Sequence, residues 1–154
     1  MANLKEEAER LRIGIRGGWL TAADAVAWAD NVIAEASRPD SALLQVASAV
    51  NRPREEIATL LAAMPGSADR IAVMRRCLAD LLKTLEREPP LARDAARWLE
   101  AAANGGELPE LAFGTEPTAL DEAFGLAEAG VYDTVDSARE RLMAFLRAHA
   151  RSED

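Results

Sequence analysis

The chain has 154 residues, of which 49% are apolar and 5% aromatic. This length fits one domain and is sufficient for a buried core without disulfides or metal ions. The net charge of −8 argues against DNA or RNA as a partner, because proteins that bind phosphates usually present a basic surface.

Neither a membrane anchor nor an export signal is expected. The chain contains no run of about 18 apolar residues, the length a transmembrane helix needs. The charged side chains between Lys5 and Arg12 interrupt the apolar stretch that a signal peptide would require. The single Cys77 cannot form an internal disulfide, so cysteine content gives no sign of an oxidising compartment. We therefore expect a cytoplasmic protein without a membrane partner.

The first half of the chain shows apolar residues at helical spacing in four segments. Gly17-Gly18 ends the first, since glycine readily adopts the left-handed conformation found at helix ends. Thr21, with Asp24 three positions on, is typical of a capping box that begins the second. The helices predicted here cover about residues 2–16, 22–38, 40–50 and 54–64.

The second half contains four more predicted helices. The longest includes the apolar stripe of a central core helix, formed by Ile71, Met74, Leu78, Leu81, Leu82 and Leu85. Residues 107–115 show no periodicity and are predicted to form an ordered loop held by Leu108, Leu111 and Phe113. Asp133 or Thr134 is expected to cap the last helix. The helices predicted here cover about residues 67–88, 90–103, 117–129 and 134–149.

These patterns predict an all-α fold. No segment alternates between apolar and polar residues for long enough to indicate a strand. Residues 1–150 are expected to form a single domain of about eight helices, either an irregular bundle or a short array of helical hairpins. Residues 151–154 are predicted to be a polar tail.

The residues that usually perform chemistry are few, and the pattern indicates a protein that is not an enzyme and binds no cofactor or metal. One cysteine and one histidine provide no cluster with the spacing of a metal site. Cys77 lies along an apolar stripe, where a buried structural thiol is expected rather than a nucleophile. His149 lies in the last turn of the final helix, where an imidazolium would meet the negative end of the helix dipole.

The segment from Leu43 to Met64 has the outline of a helix-turn-helix motif, with a tight turn at Asn51-Arg52-Pro53. The second helix of such a motif contacts base edges and phosphates through its first turn. Here that turn contains Glu55 and Glu56, so electrostatic repulsion opposes DNA binding.

The three tryptophans differ in their expected environments. Trp28 and Trp98 fall on apolar helix faces and are predicted to lie in the core. Trp19 follows two glycines and precedes the Thr21 cap, which is the position of a hydrophobic staple. An exposed Trp19 that contacts a partner is the alternative, because interfaces are enriched in tryptophan.

Charge is distributed unevenly along the chain. Residues 104–137 contain eight acidic residues and no lysine or arginine, so this acidic window accounts for the whole net charge. Such a surface can steer a basic partner. The alternatives are that these carboxylates cap helices or pair with the chain's own arginines. The acidic residues are Glu107, Glu110, Glu116, Asp121, Glu122, Glu128, Asp133 and Asp136.

One segment at the start of the second predicted helix shows a recognisable pattern, and its residues are Gly18-Trp19-Leu20-Thr21-Ala22-Ala23-Asp24-Ala25-Val26-Ala27-Trp28-Ala29-Asp30, followed by Val32-Ile33. This segment resembles a recurrent opening of small helical bacterial proteins of unknown function, some of which are similar to immunity proteins of toxin systems. The resemblance implies a neutralising protein that docks on a toxin through an acidic surface, and it transfers no site residues.

Three functional hypotheses follow. The first is a protein-interaction domain that binds a basic protein partner, with Trp19 and the acidic residues at 107, 110, 116, 121, 122 and 128 as its site. The second is a homo-oligomerising structural module, in which the Ala-rich helix from Leu91 to Ala103 packs against a second copy. The third is an enzyme that brings two carboxylates together in a pocket that raises their pKa values.

Overall fold

The structure is a computed structural model, and it describes residues 3–131 and 134–150. Within these residues every regular element is a helix and no strand occurs, which confirms the all-α prediction. A 3₁₀ turn at Pro89–Leu91 leads directly into α6. The α-helices are α1 (Leu4–Gly17), α2 (Ala22–Glu35), α3 (Ser41–Ala47), α4 (Arg54–Ala62), α5 (Arg70–Arg87), α6 (Ala92–Asn104), α7 (Glu110–Phe113), α8 (Glu116–Glu128) and α9 (Val135–His149).

The chain divides into two compact units between Val73 and Met74, within α5. In the first unit α1 packs against α4, and α2 packs against α3. Lys5 extends from α1 and donates a hydrogen bond from Nζ to the Ala62 carbonyl at the end of α4, at 2.7 Å. The core of this unit consists of Ala8, Leu11, Ile15, Ala25, Ala29, Leu43, Val46, Ala49, Ile57, Leu61 and Met64.

The connection between α1 and α2 follows the predicted capping pattern. Gly18 ends α1 in the left-handed region, with a φ of 91°, and its N–H donates to the Gly14 carbonyl at 3.0 Å. Thr21 and Asp24 form a reciprocal capping box, in which the Thr21 N–H donates to the Asp24 carboxylate at 2.7 Å. These bonds fix where α2 begins.

Two glycines of α1 allow this connection to fold back closely onto the helix. A Cβ atom on Gly14 would lie 2.6 Å from Leu20 Cγ and 3.0 Å from Leu20 Cβ. A Cβ atom on Gly17 would lie 2.6 Å from Cε3 of the Trp19 ring. The half-buried Trp19 and Leu20 therefore occupy the space that side chains at these positions would need.

The second unit is built around α8, which packs against α6 and α9. From Met74 onward α5 buries one face, which includes Cys77, Leu78 and Leu85. Helices α5 to α9 all contribute to the core of this unit. Its largest fully buried side chains are Leu78, Leu85, Leu99, Phe113, Leu120, Phe124, Leu142 and Leu146.

The structure corrects the sequence-based description at residues 107–115 and at Ile71. Residues 107–115 are not a continuous loop, because Glu110–Phe113 form the short helix α7, which is too brief to show periodicity. Leu111 does not hold this segment in place, since it is fully exposed while Leu108 and Phe113 are buried. Ile71 is 40% exposed, and Val73 is buried instead.

The structure decides between the two predicted caps of the last helix only in part. Thr134 caps α9, accepting a hydrogen bond from the Ser137 N–H at 3.1 Å. The alternative cap, Asp133, and the predicted tail at 151–154 are not among the described residues. None of the helices that the structure describes is both long enough and apolar enough to cross a membrane.

We predict opposite effects for alanine at two helical glycines. Gly14→Ala should lower the free energy of unfolding by about 1–2 kcal/mol, because displacing Leu20 outweighs the helix propensity gained. Gly125→Ala in α8 is the matched control, since its nearest neighbour would be an Arg93 nitrogen at an ordinary 3.7 Å. It should raise stability by about 0.5–1 kcal/mol. Urea unfolding measures both, and equal effects of the two substitutions would contradict the packing argument.

Candidate functional site

The acidic window lies in the second unit, and part of it is neutralised by Arg93 of α6. The Arg93 guanidinium contacts the Asp121 carboxylate and also donates to the Asp121 carbonyl at 2.8 Å. Its Nε lies 3.1 Å from the Glu128 carboxylate. The guanidinium also lies over the Phe124 ring, 5.9 Å from the centroid. Arg93 therefore joins α6 to α8 through two carboxylates, one carbonyl and one aromatic face.

Other carboxylates of the window also have internal partners. Arg97, one turn after Arg93, lies 3.8 Å from Asp121. Arg141 of α9 binds Glu116 at the start of α8 through two nitrogens, at 2.7 and 3.0 Å. Asp136 pairs with Arg139 within α9 at 3.2 Å. The basic residues outside the window thus compensate much of its charge.

Glu100 of α6 lies beside this ion-pair network. Its pKa is raised, first because its carboxyl hydrogen-bonds to Asp121, and further by burial and by the negative charges of Asp121 and Glu122. Arg93 acts in the opposite direction. Glu100 and Asp121 therefore form a carboxyl pair beside the arginine network of α6.

Three carboxylates of the window form no ion pair within the described part of the chain. Glu107, Glu110 and Glu122 are exposed, and none pairs with a cation among the residues that the structure describes. Glu110 directly precedes the fully exposed Leu111, and Glu107 lies four positions before it. We refer to Glu107, Glu110 and Leu111 as the α7 patch.

The backbone of α7 is held from both ends. The N–H of Phe113 donates to the Pro109 carbonyl at 2.9 Å, and that of Gly114 donates to the Glu110 carbonyl at 2.7 Å. Gly114 has a φ of 75°, which allows the chain to turn immediately after the helix. Because Leu108 and Phe113 are buried on either side, Glu110 and Leu111 are directed to solvent.

Phe113 is buried in a group of four side chains, Arg75, Phe113, Phe145 and His149, which we call the His149 cluster. The His149 ring lies 5.7 Å from the Phe113 ring and 4.7 Å from the Phe145 ring, centroid to centroid. The Arg75 guanidinium lies 5.4 Å from the Phe113 centroid and donates to the His149 carbonyl at 3.4 Å.

The sequence-based interpretation of His149 needs correction on its charge. Burial lowers the pKa of His149, and the positive charge of Arg75 lowers it further. Arg75 already compensates the carbonyl at the end of α9, so an imidazolium gains little from the helix dipole. The neutral ring is therefore the favoured form in this environment.

Trp19, the one proposed site residue outside the acidic window, lies in the first unit. Its half-buried ring packs over Gly17, as expected for a residue that holds the turn between α1 and α2. It belongs to a different unit from the α7 patch. The structure therefore places Trp19 in the packing of a turn.

The structure places Cys77 in the core and the first-turn carboxylates of α4 at the surface. The Cys77 thiol is fully buried, which confirms its expected burial. Residues 3–131 and 134–150 contain no group of three side chains suited to binding a metal ion. On α4, Glu55 and Glu56 line a shallow groove of about 320 Å³ and pair with Arg16 and Arg52.

Comparison with known proteins provides no further assignment. No protein-family model, no curated protein and no solved structure matches this chain.

Sequence reasoning located the acidic segment but missed which of its carboxylates face solvent. Arg93 and Arg97 are separated from Asp121 by more than twenty positions, and no short-range pattern joins them. A partial signal existed in the helical spacing of Arg93, Arg97 and Glu100, which places all three on one face of α6. The exposure of Leu111 had no such signal, because α7 is shorter than two turns.

We predict that Arg93 stabilises the second unit far more than Arg97 does. Arg93→Ala leaves Asp121, its carbonyl and Glu128 without their main partner, so the free energy of unfolding should fall by about 1–3 kcal/mol. Arg97→Ala is the matched control, because its side chain is 61% exposed. That substitution should cost less than about 1 kcal/mol. Denaturant unfolding of both variants measures the difference, and similar losses would contradict the proposed role of Arg93.

Glu100→Gln should reduce the change in the stability of the protein between pH 4 and pH 7. A carboxyl group whose pKa is raised on folding stabilises the protein below its ordinary pKa of 4.5, and this contribution disappears as pH rises through the higher folded value. The glutamine amide can donate to Asp121 without adding charge, so the variant should equal or exceed the wild type at pH 7. Thermal unfolding at pH 4 and pH 7 tests this, and a lower Tm at pH 7 would contradict it.

Proposed function

We propose that this chain is a non-catalytic protein-interaction domain that binds a basic protein through the α7 patch. The observation on which the proposal depends is the full exposure of Leu111 close after Glu107 and Glu110, two carboxylates that form no ion pair with any described residue. A leucine side chain at an interface contributes by burial, and neighbouring carboxylates select a cationic partner.

The internal ion pairs reduce the number of carboxylates that we assign to partner binding from the six that the sequence suggested. Asp121, Glu128 and Glu116 would each have to give up an arginine of their own chain to bind a partner. That exchange gains little, because one ion pair replaces another. Glu107, Glu110 and Glu122 incur no such loss, and of these we assign Glu107 and Glu110, which belong to the α7 patch with the exposed Leu111, to partner binding.

The packing of α6 disfavours the alternative of a homo-oligomer built on its alanine-rich face. This helix packs against α8 and α9 in its own unit. Four of its alanines are already buried there, so this face is not free for a second copy; they are Ala92, Ala95, Ala96 and Ala102.

The resemblance of residues 18–33 to immunity-type proteins makes a toxin a specific form of this proposal. A cationic toxin would supply the basic surface that Glu107 and Glu110 require. The residues that carry the resemblance form the turn at Trp19 and do not belong to the α7 patch. We therefore propose a toxin as the partner on two grounds, the charge complementarity of the α7 patch and the resemblance itself.

Retention of proteins from an extract of cells that naturally contain this chain tests the interaction. Immobilised wild type should retain a basic protein that salt elutes. The triple variant Glu107→Gln, Glu110→Gln, Leu111→Ser should retain at least about tenfold less, corresponding to a loss of about 1.4 kcal/mol or more.

A matched control removes the same charge and one exposed leucine from the first unit. The variant Asp30→Asn, Glu35→Gln, Leu44→Ser changes exposed residues only, and it should retain the partner as the wild type does. Equal retention by the α7 variant and the wild type would overturn the proposal, and so would a partner whose binding is insensitive to salt.

A further inference from the structure

We propose that the α7 patch is regulated by pH through His149, whose neutral ring holds Phe113 and whose protonation releases α7 from the second unit. The regulatory consequence rests on the proposed function of the patch. The coupling between His149 and α7 is a property of the chain alone and can be tested without a partner.

The first step of the argument is the instability of α7 by itself. The helix has four residues, and isolated helices shorter than about 12 residues are marginal in water. Its order therefore depends on tertiary contacts, above all on Phe113, which is 1% exposed. Leu111 cannot contribute, since it contacts solvent.

The second step is that titratable and cationic groups enclose Phe113. Its ring contacts the His149 imidazole of α9 on one side and the Arg75 guanidinium of α5 on another. A neutral imidazole packs against aromatic rings and beside a guanidinium without cost. An imidazolium in the same place brings a second positive charge next to Arg75 and loses hydration.

The third step concerns the charges that face His149. From α5 the facing charge is Arg75, which also donates to the His149 carbonyl. From α7 and α9 the facing groups are the uncharged rings of Phe113 and Phe145. The carboxylate of α7, Glu110, is exposed and forms no ion pair, and Arg147 of α9 is also exposed. No carboxylate among the described residues pairs with His149 to offset Arg75.

The direction of the pH effect follows from these contacts. Burial and Arg75 lower the pKa of His149 below its ordinary value of 6.5. Released His149 therefore binds a proton more readily than packed His149 does. The contribution of the cluster is complete above pH 6.5 and decreases as pH falls through that value towards the folded pKa. Mildly acidic conditions should thus release α7.

The release should change the α7 patch, because Phe113 lies only two positions after Leu111. The N–H groups of Phe113 and of its neighbour Gly114 donate hydrogen bonds that close α7, so a shift of Phe113 would displace both donors. When the ring leaves its site, Glu110 and Leu111 lose the fixed arrangement that a partner would recognise. Partner binding would then weaken in acid.

Nuclear magnetic resonance can test the coupling, because the chain has a single histidine. The full chain is titrated from pH 8 to pH 5 while the His149 ring resonances and the Leu111 methyl resonances are recorded. We expect the His149 midpoint to lie below that of the chain unfolded in urea. The Leu111 methyl shifts and the amide protection factors of residues 111–114 should change with the same midpoint.

Three variants separate titration from packing. His149→Phe keeps an aromatic ring and removes the proton, so the protection factors of α7 should become independent of pH in this range. Arg75→Gln should raise the His149 midpoint by removing the facing charge. Arg87→Gln on the same helix is the matched control for charge, since it lies about 18 Å from Arg75 along the helix axis. It should leave the midpoint unchanged.

The outcomes distinguish the two proposals. A His149 midpoint equal to that of the unfolded chain, or a pH dependence of α7 that persists in His149→Phe, would overturn the coupling whatever the patch binds. A confirmed coupling, together with unchanged partner retention by the α7 triple variant, would overturn the docking function and leave the coupling intact.

Discussion

The burial of Phe113 is the constraint on which the candidate site depends. The stretch between α6 and α8 contains only a four-residue helix, which has little stability of its own. Phe113 holds it by packing between Arg75 and His149, and Leu108 is buried at the other end. With both apolar residues turned inward, the residues between them face solvent. The exposure of Leu111 thus follows from the burial of its neighbours.

Charge in the second unit is organised by a few arginines outside the acidic window. Arg93 and Arg97 compensate Asp121, and Arg141 compensates Glu116. These ion pairs stabilise contacts between helices. They also occupy the arginines of the unit that lie near the acidic window, so these arginines do not neutralise the remaining carboxylates. The carboxylates that stay exposed without an arginine partner among the described residues are therefore a small part of the negative charge that the composition suggests. A protein with the same composition but different helix packing would present a different surface.

The helices, their caps and the core-facing stripes were predictable from local sequence, because helical periodicity and capping act over a few residues. The capping box at Thr21 and Asp24 and the buried Cys77 are examples. The candidate site was predictable only in part. Of the carboxylates proposed, Glu107, Glu110 and Glu122 form no ion pair with a described residue, whereas Glu116, Asp121 and Glu128 pair with distant arginines. Trp19 packs a turn in the other unit.

Local sequence patterns indicate that this chain folds into helices with apolar faces and where most of those helices begin and end. They also place the excess negative charge within residues 104–137. The packing of the helices, by contrast, selects which carboxylates of that segment pair with arginines, and it exposes Leu111 while it buries Phe113. This difference arises from distance along the chain. Helix signals are local, whereas the contacts of Arg93 with Asp121 and of Arg75 with Phe113 form only when separate helices pack together.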